Sequence, residues 1–171
     1  AREQNLELVD PSYFHTDESW QEYLKVKERL EQEGRKGTVG AVALDSHGNL
    51  AAATSTGGMT FKKYGRIGDS PVIGAGTYAS NESCAVSCTG HGEYFIRNSV
   101  AYDVSARMLY LGETVEQAAE YIINKKLKSQ GGTGGLIAVD KNGNISMPFN
   151  TPGMFRGFVK HGAEPQVFMF R

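Results

Sequence analysis

The order of segments along the 171-residue chain predicts an α+β fold in which helices pack on an antiparallel sheet. Three observations carry this prediction. An apolar, hairpin-like segment follows a charged, helix-like one, two helix candidates occupy the middle of the chain, and a second hairpin-like segment comes after them. Because 40% of the residues are hydrophobic, the chain can bury a substantial core.

The N-terminal part begins with a short polar segment, residues 1–16, which contains a turn at "DPSY". Residues 17–33, "DESWQEYLKVKERLEQE", predict an amphipathic helix. Its apolar residues lie roughly on one side: Trp20, Tyr23, Leu24 and Leu30. The glycines of "GRKG" then end the helix.

Two segments of similar sequence predict hairpins. From Thr38, "TVGAVALD" and "NLAAATST" are strand-like runs joined by the turn signal "SHG", and their small apolar residues favour burial on both faces. Residues 40–52, "GAVALDSHGNLAA", are matched by residues 135–147, "GLIAVDKNGNISM". We expect neighbouring strands of the sheet layers from this match, with a divergent repeat or a chance similarity as the alternatives.

The segments between the hairpins predict one loop, one strand and two helices. Residues 57–77 indicate an ordered loop, and "CAVSCTG" a strand in which Cys84 and Cys88 share one face as small buried residues. Residues 92–111 predict a helix because apolar residues recur every four positions. In "ETVEQAAEYIINKKL", Thr114 and Gln117 form a capping box. The last segment, "FVKHGAEPQVFMF", is typical of an edge strand.

Charge and cysteine content narrow the class of protein. A formal net charge of −1 gives no field that would steer the chain to nucleic acid or to an anionic membrane. No apolar run approaches the roughly 20 residues of a membrane span. With two cysteines a disulfide framework is not favoured, and we expect a reducing, cytoplasmic compartment.

Four short stretches combine hydroxyl or charged side chains with glycines. They are Thr38 between Gly37 and Gly40, "TSTGG" at 54–58, "GRIGDSP" at 65–71 and "SCTGHG" at 87–92. Glycine allows a substrate to approach the backbone and exposes N–H groups that can stabilise an oxyanion. The phosphate-binding glycine motifs are missing, and the four histidines show no metal-ligand spacing.

Two of these stretches allow both a structural and a functional interpretation. Arg66 and Asp69 either form a local ion pair that orders their loop, or together hold the carboxylate and ammonium groups of an amino-acid substrate. Thr38 is either an ordinary strand residue or a nucleophile exposed by cleavage of the Gly37–Thr38 bond. In the second case its free α-amine, with a pKa of about 7.7–8.0, would serve as the base for its own hydroxyl.

Taken together, these stretches resemble the plant-type asparaginases, also called isoaspartyl peptidases or β-aspartyl-peptidases, which are N-terminal-nucleophile hydrolases. The resemblance rests on "GTVGAVALD", "TSTGG", "GRIGDSP", "CAVSCTGHGE" and "MPFNTPGMFRG", and it is dense over residues 38–156. It implies a four-layer αββα sandwich, which lacks an N-terminal half here. It also implies two parts in the chain: residues 1–37 as the end of an α-subunit with its linker, and 38–171 as the catalytic β-subunit.

The resemblance also implies a role for each matching residue. Thr38 is the nucleophile released by autocleavage after Gly37, and Thr56 supports it. Arg66 and Asp69 hold the substrate head group, with a further backbone contact from Gly92. Thr89 and Gly90 form the oxyanion hole, and Gly90 also belongs to the substrate-binding set.

The implied activity is hydrolysis of L-asparagine and β-aspartyl dipeptides to aspartate through a β-aspartyl-enzyme ester. No cofactor is expected in catalysis, although a structural sodium ion could bind in the missing half. The expected partners are the small substrate and the protein's own α-subunit, in an (αβ)2 dimer, without nucleic acid or membrane. The alternatives are a glycosylasparaginase, which cleaves the glycan–asparagine link, and an inactive or unprocessed precursor that acts only as an assembly partner.

Overall fold

The computed structural model describes residues 9–28, 36–59, 62 and 65–170. The chain divides into two units, Ala1–Lys36 with Met59–Gly65, and Gly37–Gly58 with Arg66–Arg171. In the first unit a 3-10 turn at Pro11–Phe14 precedes helix α1, Asp17–Glu28, whose start is capped by the Thr16 hydroxyl. The rest of the helix predicted to residue 33 lies outside the described residues, and the boundary at residue 37 stays a prediction.

Strands β1 (Lys36–Leu44) and β2 (Leu50–Met59), which belong to the second unit except for their outermost residues Lys36 and Met59, form the first predicted hairpin. Its turn is held by Asp45 Oδ1, which accepts the N–H groups of His47 at 2.8 Å and Asn49 at 2.7 Å. The prediction of a strand buried on both faces was wrong for β1, because Val39 is 69% exposed. Side chains alternate instead, and only the even-numbered ones turn inward.

The main sheet is antiparallel, in the order β3-β4-β5-β6. Its strands are β3 (Thr77–Ala79), β4 (Cys84–Gly90), β5 (Gly134–Asp140) and β6 (Ile145–Ser146). The second predicted hairpin is β5–β6, and Asp140 holds its turn through Asn142 and Asn144 as Asp45 does in the first. The sequence match thus reflects one turn chemistry used in two different sheets.

Helices cover one face of this sheet. The predicted helix 92–111 is two helices, α2 (Gly92–Asn98) and α3 (Val100–Leu111), because Ser99 adopts a left-handed conformation with φ 47°. Helix α4 (Val115–Tyr121) has the predicted capping box and continues into a π-helix, Ile122–Leu127. Phe95, Val104 and Ile122 pack here against the predicted inward face of β4.

Both cysteines lie in this core, as predicted, and both are free thiols. Burial raises the pKa of Cys84 to about 11. Burial, together with the charge of Asp69, raises the pKa of Cys88 well above its ordinary value. Neither thiol is therefore prepared to act as a nucleophile at neutral pH.

The other face of the sheet carries the β1–β2 hairpin. Leu50 of β2 packs with Ala85 of β4 and Val139 of β5 in a second, smaller core. Side-chain amides strengthen the contact, because Asn81 accepts the Leu50 N–H at 2.7 Å and donates to Asn49 at 3.1 Å. The second unit therefore has three layers in the order helices, four-stranded sheet and hairpin.

The C-terminal segment has its predicted strand at the edge of a small sheet of its own. It forms a separate two-stranded sheet of β7 (Arg156–Phe158) and β8 (Gln166–Phe168), with Phe158 and Phe168 stacked. Arg156 lies over the rings of Phe149 and Phe168, and Phe149 forms a β-bridge with Gly135 of β5, so this arginine connects the small sheet to the main one. Among the helices in the described ranges, none is long and apolar enough to cross a bilayer.

Candidate active site

The threonine predicted to be the nucleophile lies beside the threonine predicted to support it. Thr38 Oγ1 of β1 donates to Thr56 Oγ1 of β2 at 3.3 Å, although the two residues are 18 apart in sequence. The Thr56 hydroxyl in turn donates to the Gly37 carbonyl at 2.6 Å and accepts the Gly58 N–H at 2.9 Å. Thr56 thus bridges the Thr38 hydroxyl and the carbonyl of the bond predicted to be cut.

Thr89 lies at the same end of the interlayer space. Gly40 of β1 packs against Ser87 of β4, and the Thr54 hydroxyl of β2 meets that of Ser87 at 2.6 Å. Side chains alternate along a strand, so residues two positions apart point to the same face. Thr38 lies two residues before Gly40, whereas Thr56 and Thr89 lie two residues after Thr54 and Ser87. All three threonines therefore face the same space. The apolar contacts around Leu50 and Ala85 occupy the opposite end. The open end of the hairpin therefore gathers three hydroxyl groups.

The close approach of hairpin and sheet depends on Gly40. A Cβ built on Gly40 would lie 2.1 Å from Ser87 Oγ, so Gly40→Ala forces the layers apart. We expect Gly40→Ala to lower the free energy of unfolding by about 1–3 kcal/mol, which is typical of overpacking. Thermal denaturation of the full-length protein measures this, with Gly57→Ala as control because a Cβ there meets nothing within 4 Å. Equal melting temperatures for the two variants would contradict the contact.

The residues predicted to hold the substrate head group also come together. Asp69 is only 6% exposed, and a Cβ built on Gly92 would lie 2.9 Å from Asp69 Oδ1 and 3.4 Å from Arg66 Nη2. Any side chain at residue 92 would therefore fill the space between the Asp69 carboxylate and the Arg66 guanidinium. The structure thus brings Arg66, Asp69 and Gly92 to one place, as the sequence predicted, at the start of helix α2.

Arg66 also has a partner that the sequence reasoning did not assign. Its Nη2 lies 3.4 Å from Glu93 Oε2, and the two side chains are 28% and 53% exposed. Burial raises the pKa of Glu93, but its backbone N–H and the charges of His91 and Arg66 outweigh this and lower it. The ion pair therefore persists at neutral pH and is lost only as the pH falls through that lowered pKa. The motif "TGHGE" already contained this glutamate.

The backbone at Gly90 is held tightly. Gly90 has φ 154°, and a Cβ there would lie 2.4 Å from Thr133 O. His91 donates its N–H to the same Thr133 oxygen at 2.9 Å, and His91 Nδ1 meets Thr133 Oγ1 at 2.9 Å. The sequence reasoning did not single out Thr133, for which the only signal was the glycine-rich surroundings "GGTGG".

The arrangement suits acyl transfer at a carbonyl. It supplies a hydroxyl nucleophile, a hydroxyl donor aimed at a carbonyl, a glycine-lined backbone and a cation beside a buried carboxylate. Within the described ranges, no cluster of three or more histidine, cysteine, aspartate or glutamate side chains could hold a metal ion.

Known proteins of similar sequence identify the family of this chain. A family model described as asparaginase matches residues 1–169. The chain is 48% identical over 177 residues to an isoaspartyl peptidase of Escherichia coli, with 97% of this chain and 55% of the relative covered. It is 47% identical to an isoaspartyl peptidase of Salmonella typhimurium, covering 100% of this chain and 58% of the relative.

A mouse protein named isoaspartyl peptidase/L-asparaginase is 45% identical over 143 residues, which cover 80% of this chain and 44% of the relative. The chain therefore spans about half the length of the curated relatives it matches. With a family model that covers almost the whole chain, and with these identities, the resemblance seen in the motifs is confirmed: this chain belongs to the asparaginase family, whose members are N-terminal-nucleophile hydrolases.

Proposed function

We propose that this chain carries the catalytic part of an autoprocessing threonine amidohydrolase that hydrolyses L-asparagine and β-aspartyl dipeptides. The observation that carries the proposal is the position of the Thr56 hydroxyl between Thr38 Oγ1 and the Gly37 carbonyl. The names of the relatives, isoaspartyl peptidase and L-asparaginase, support the same reaction class.

Self-cleavage comes first in the proposed sequence. Thr38 Oγ attacks the Gly37 carbonyl carbon, while the hydrogen bond from Thr56 stabilises the negative charge that develops on the oxygen. The Gly37–Thr38 C–N bond breaks, the amine takes the proton, and an ester links Gly37 to Thr38 Oγ. Water then hydrolyses the ester, which leaves a carboxylate on Gly37 and a free α-amine on Thr38.

Turnover uses the amine that self-cleavage releases. With a pKa of about 7.7–8.0 the amine is partly neutral at physiological pH and takes the Thr38 hydroxyl proton. Oγ attacks the side-chain carbonyl of the substrate, and the leaving ammonia or amino acid takes a proton from the ammonium. Water attacks the resulting β-aspartyl ester, aspartate leaves and Thr38 is regenerated.

Arg66, Asp69 and the oxyanion group supply recognition and charge stabilisation. The Arg66 guanidinium binds the substrate α-carboxylate through its planar fork, and the Asp69 carboxylate binds the α-ammonium. Thr89 and the Gly90 backbone stabilise the oxyanion, and Gly92 leaves room for the head group. One oxyanion donor of this kind contributes about 2.7–4 kcal/mol to the transition state.

We further propose a four-layer αββα sandwich and an (αβ)2 assembly. The three layers of the second unit support the first proposal, because the outer face of the hairpin exposes Val39 and still needs a cover. The greater length of the relatives supports an accompanying α-subunit. No cofactor takes part in this mechanism, a structural sodium ion would belong to that accompanying segment, and the cytoplasmic location stays a prediction.

The test uses the full-length protein, together with any separate segment that accompanies this chain. The protein is incubated in turn with a β-aspartyl dipeptide, L-asparagine and glycosylated asparagine. We expect release of aspartate from a β-aspartyl dipeptide and from L-asparagine, and intact mass under denaturing conditions should reveal a fragment that begins at Thr38. Preferential cleavage of glycosylated asparagine would favour the glycosylasparaginase alternative. An unprocessed protein that is inactive on all three substrates would leave only the assembly-partner alternative.

A further inference from the structure

Asn150 lies in the stretch "MPFNTPGMFRG", for which the proposed chemistry has no use. Its side chain accepts the Gly134 N–H at Oδ1 over 2.8 Å and donates from Nδ2 to Gly132 O at 3.0 Å and to Ile123 O at 3.1 Å. Its own N–H donates to Gly134 O at 2.9 Å. Both amide hydrogens are used, so the side chain has one fixed orientation.

These bonds fasten the turn before β5 to the helical layer. Ile123 belongs to the π-helix Ile122–Leu127, a wide-turn form that often occurs near functional sites, and its side chain is fully buried. Gly132 and Gly134 flank Thr133 at the point where this turn enters β5, and both are buried. Asn150 therefore connects the turn directly to a fully buried part of the helical layer.

The turn lies next to the backbone that is proposed to stabilise the oxyanion. Gly134 is the Cα partner of Gly90 in the β4–β5 pair, and a Cβ on Gly134 would lie 2.2 Å from Thr89 O. The Thr133 carbonyl accepts the His91 N–H at 2.9 Å. The turn therefore packs directly against the backbone of Thr89 and Gly90, with no space for a side chain between them.

We propose that Asn150 is a positioning residue, which fixes Thr89 and Gly90 through the turn that contains Thr133 and Gly134. The inference rests on the proposed function, because it assigns an oxyanion role to Thr89 and Gly90. Oxyanion donors must stand within a few tenths of an ångström of their best position, and loss of one costs about 100- to 1,000-fold in kcat. A displaced donor costs part of that factor.

The test is Asn150→Asp in the full-length protein, with L-asparagine as the probe substrate. The substitution keeps the shape of the side chain and the oxygen that accepts the Gly134 N–H. It replaces the amide nitrogen by a second oxygen, which faces the carbonyls of Gly132 and Ile123. We expect kcat to fall about 10- to 100-fold, a partial loss of the oxyanion contribution. KM should change little, since Arg66 and Asp69 lie on a different loop.

The matched control is Asn144→Ala at the far end of β5. It removes a comparable bond, from Asn144 Nδ2 to Asp140 Oδ2 at 2.8 Å, but does not touch the turn that contains Thr133. Hydrogen exchange of the segment 88–94, measured by mass spectrometry without substrate, gives a second readout. We expect faster exchange there in Asn150→Asp and in the milder Asn150→Ala, and not in the control.

The outcomes separate the inference from the proposed function. Unchanged kcat, a loss of kcat matched by the Asn144 control, or unchanged exchange in both Asn150 variants overturns the positioning role. If the wild-type protein hydrolyses no substrate, the proposed function fails, and exchange alone decides whether Asn150 holds the segment. If Asn150→Asp does not fold, Asn150→Ala decides by both readouts.

Discussion

Thr38→Ala is expected to abolish both self-cleavage at Gly37–Thr38 and hydrolysis of substrate. The substitution removes the only oxygen that is placed to attack the Gly37 carbonyl in the proposed mechanism, and without cleavage the α-amine stays locked in a peptide bond. Loss of a nucleophile of this kind costs at least about 10⁴-fold in kcat. Denaturing mass spectrometry measures cleavage, and release of aspartate measures turnover.

Two variants control this experiment. Thr38→Ser keeps the hydroxyl and should cleave itself and turn over, more slowly, because a serine lacks the methyl group that restricts the χ1 rotamer of threonine. Thr54 lies two residues before Thr56 on β2, and its inward hydroxyl bonds to Ser87 and to Gly76 O. Thr54→Val removes this hydroxyl. It should lower stability but leave self-cleavage intact. Cleavage after Gly37 in Thr38→Ala would refute the assignment of Thr38 as the nucleophile.

Arg66→Ala is expected to reduce kcat/KM by about 10- to 150-fold. This factor corresponds to the loss of a hydrogen bond to a charged group, which contributes about 1.5–3 kcal/mol. The loss should appear mainly in KM, because the carboxylate of the substrate is bound in the ground state and in the transition state alike. Self-cleavage should proceed normally, since it involves Gly37, Thr38 and Thr56. Steady-state kinetics with L-asparagine, alongside denaturing mass spectrometry, separates the two effects.

Arg97→Ala is the matched control for Arg66→Ala. Arg97 lies on the same helix as Glu93, its guanidinium lies 4.9 Å from the centre of the Tyr94 ring, and its Nε donates to the Glu93 carbonyl at 3.3 Å. Its loss should leave KM unchanged. Arg66→Lys tests geometry, because a lysine keeps the charge but not the planar fork, and we expect an intermediate KM. A KM for Arg66→Ala equal to that of the wild type would contradict the head-group role.

Features with a local physical cause could be predicted from the sequence. The capping box of Thr114 and Gln117 closes within one helical turn, and the turns at Asp45 and Asp140 depend on bonds between residues two to four apart. The break at Ser99 could not be predicted from periodicity. The apolar spacing runs without interruption from Ile96 to Val100, so it carries no signal for the left-handed conformation of Ser99 between them.

The sequence by itself determined the chemistry available to this protein: a threonine after a glycine, an arginine and an aspartate three residues apart, and glycines wherever backbone must come close. Only the tertiary structure decided which of these groups meet. Pairing of β1 with β2 sets Thr38 beside Thr56, and the packing of Gly40 on Ser87 brings this hairpin onto the main sheet. The approach of Gly92 to Asp69 and Arg66 forms the space that is predicted to hold the substrate head group. The physical reason is the separation in sequence of the residues that interact. Hydrogen bonds within a turn join residues that are close in sequence, whereas contacts between layers depend on the packing of the whole core.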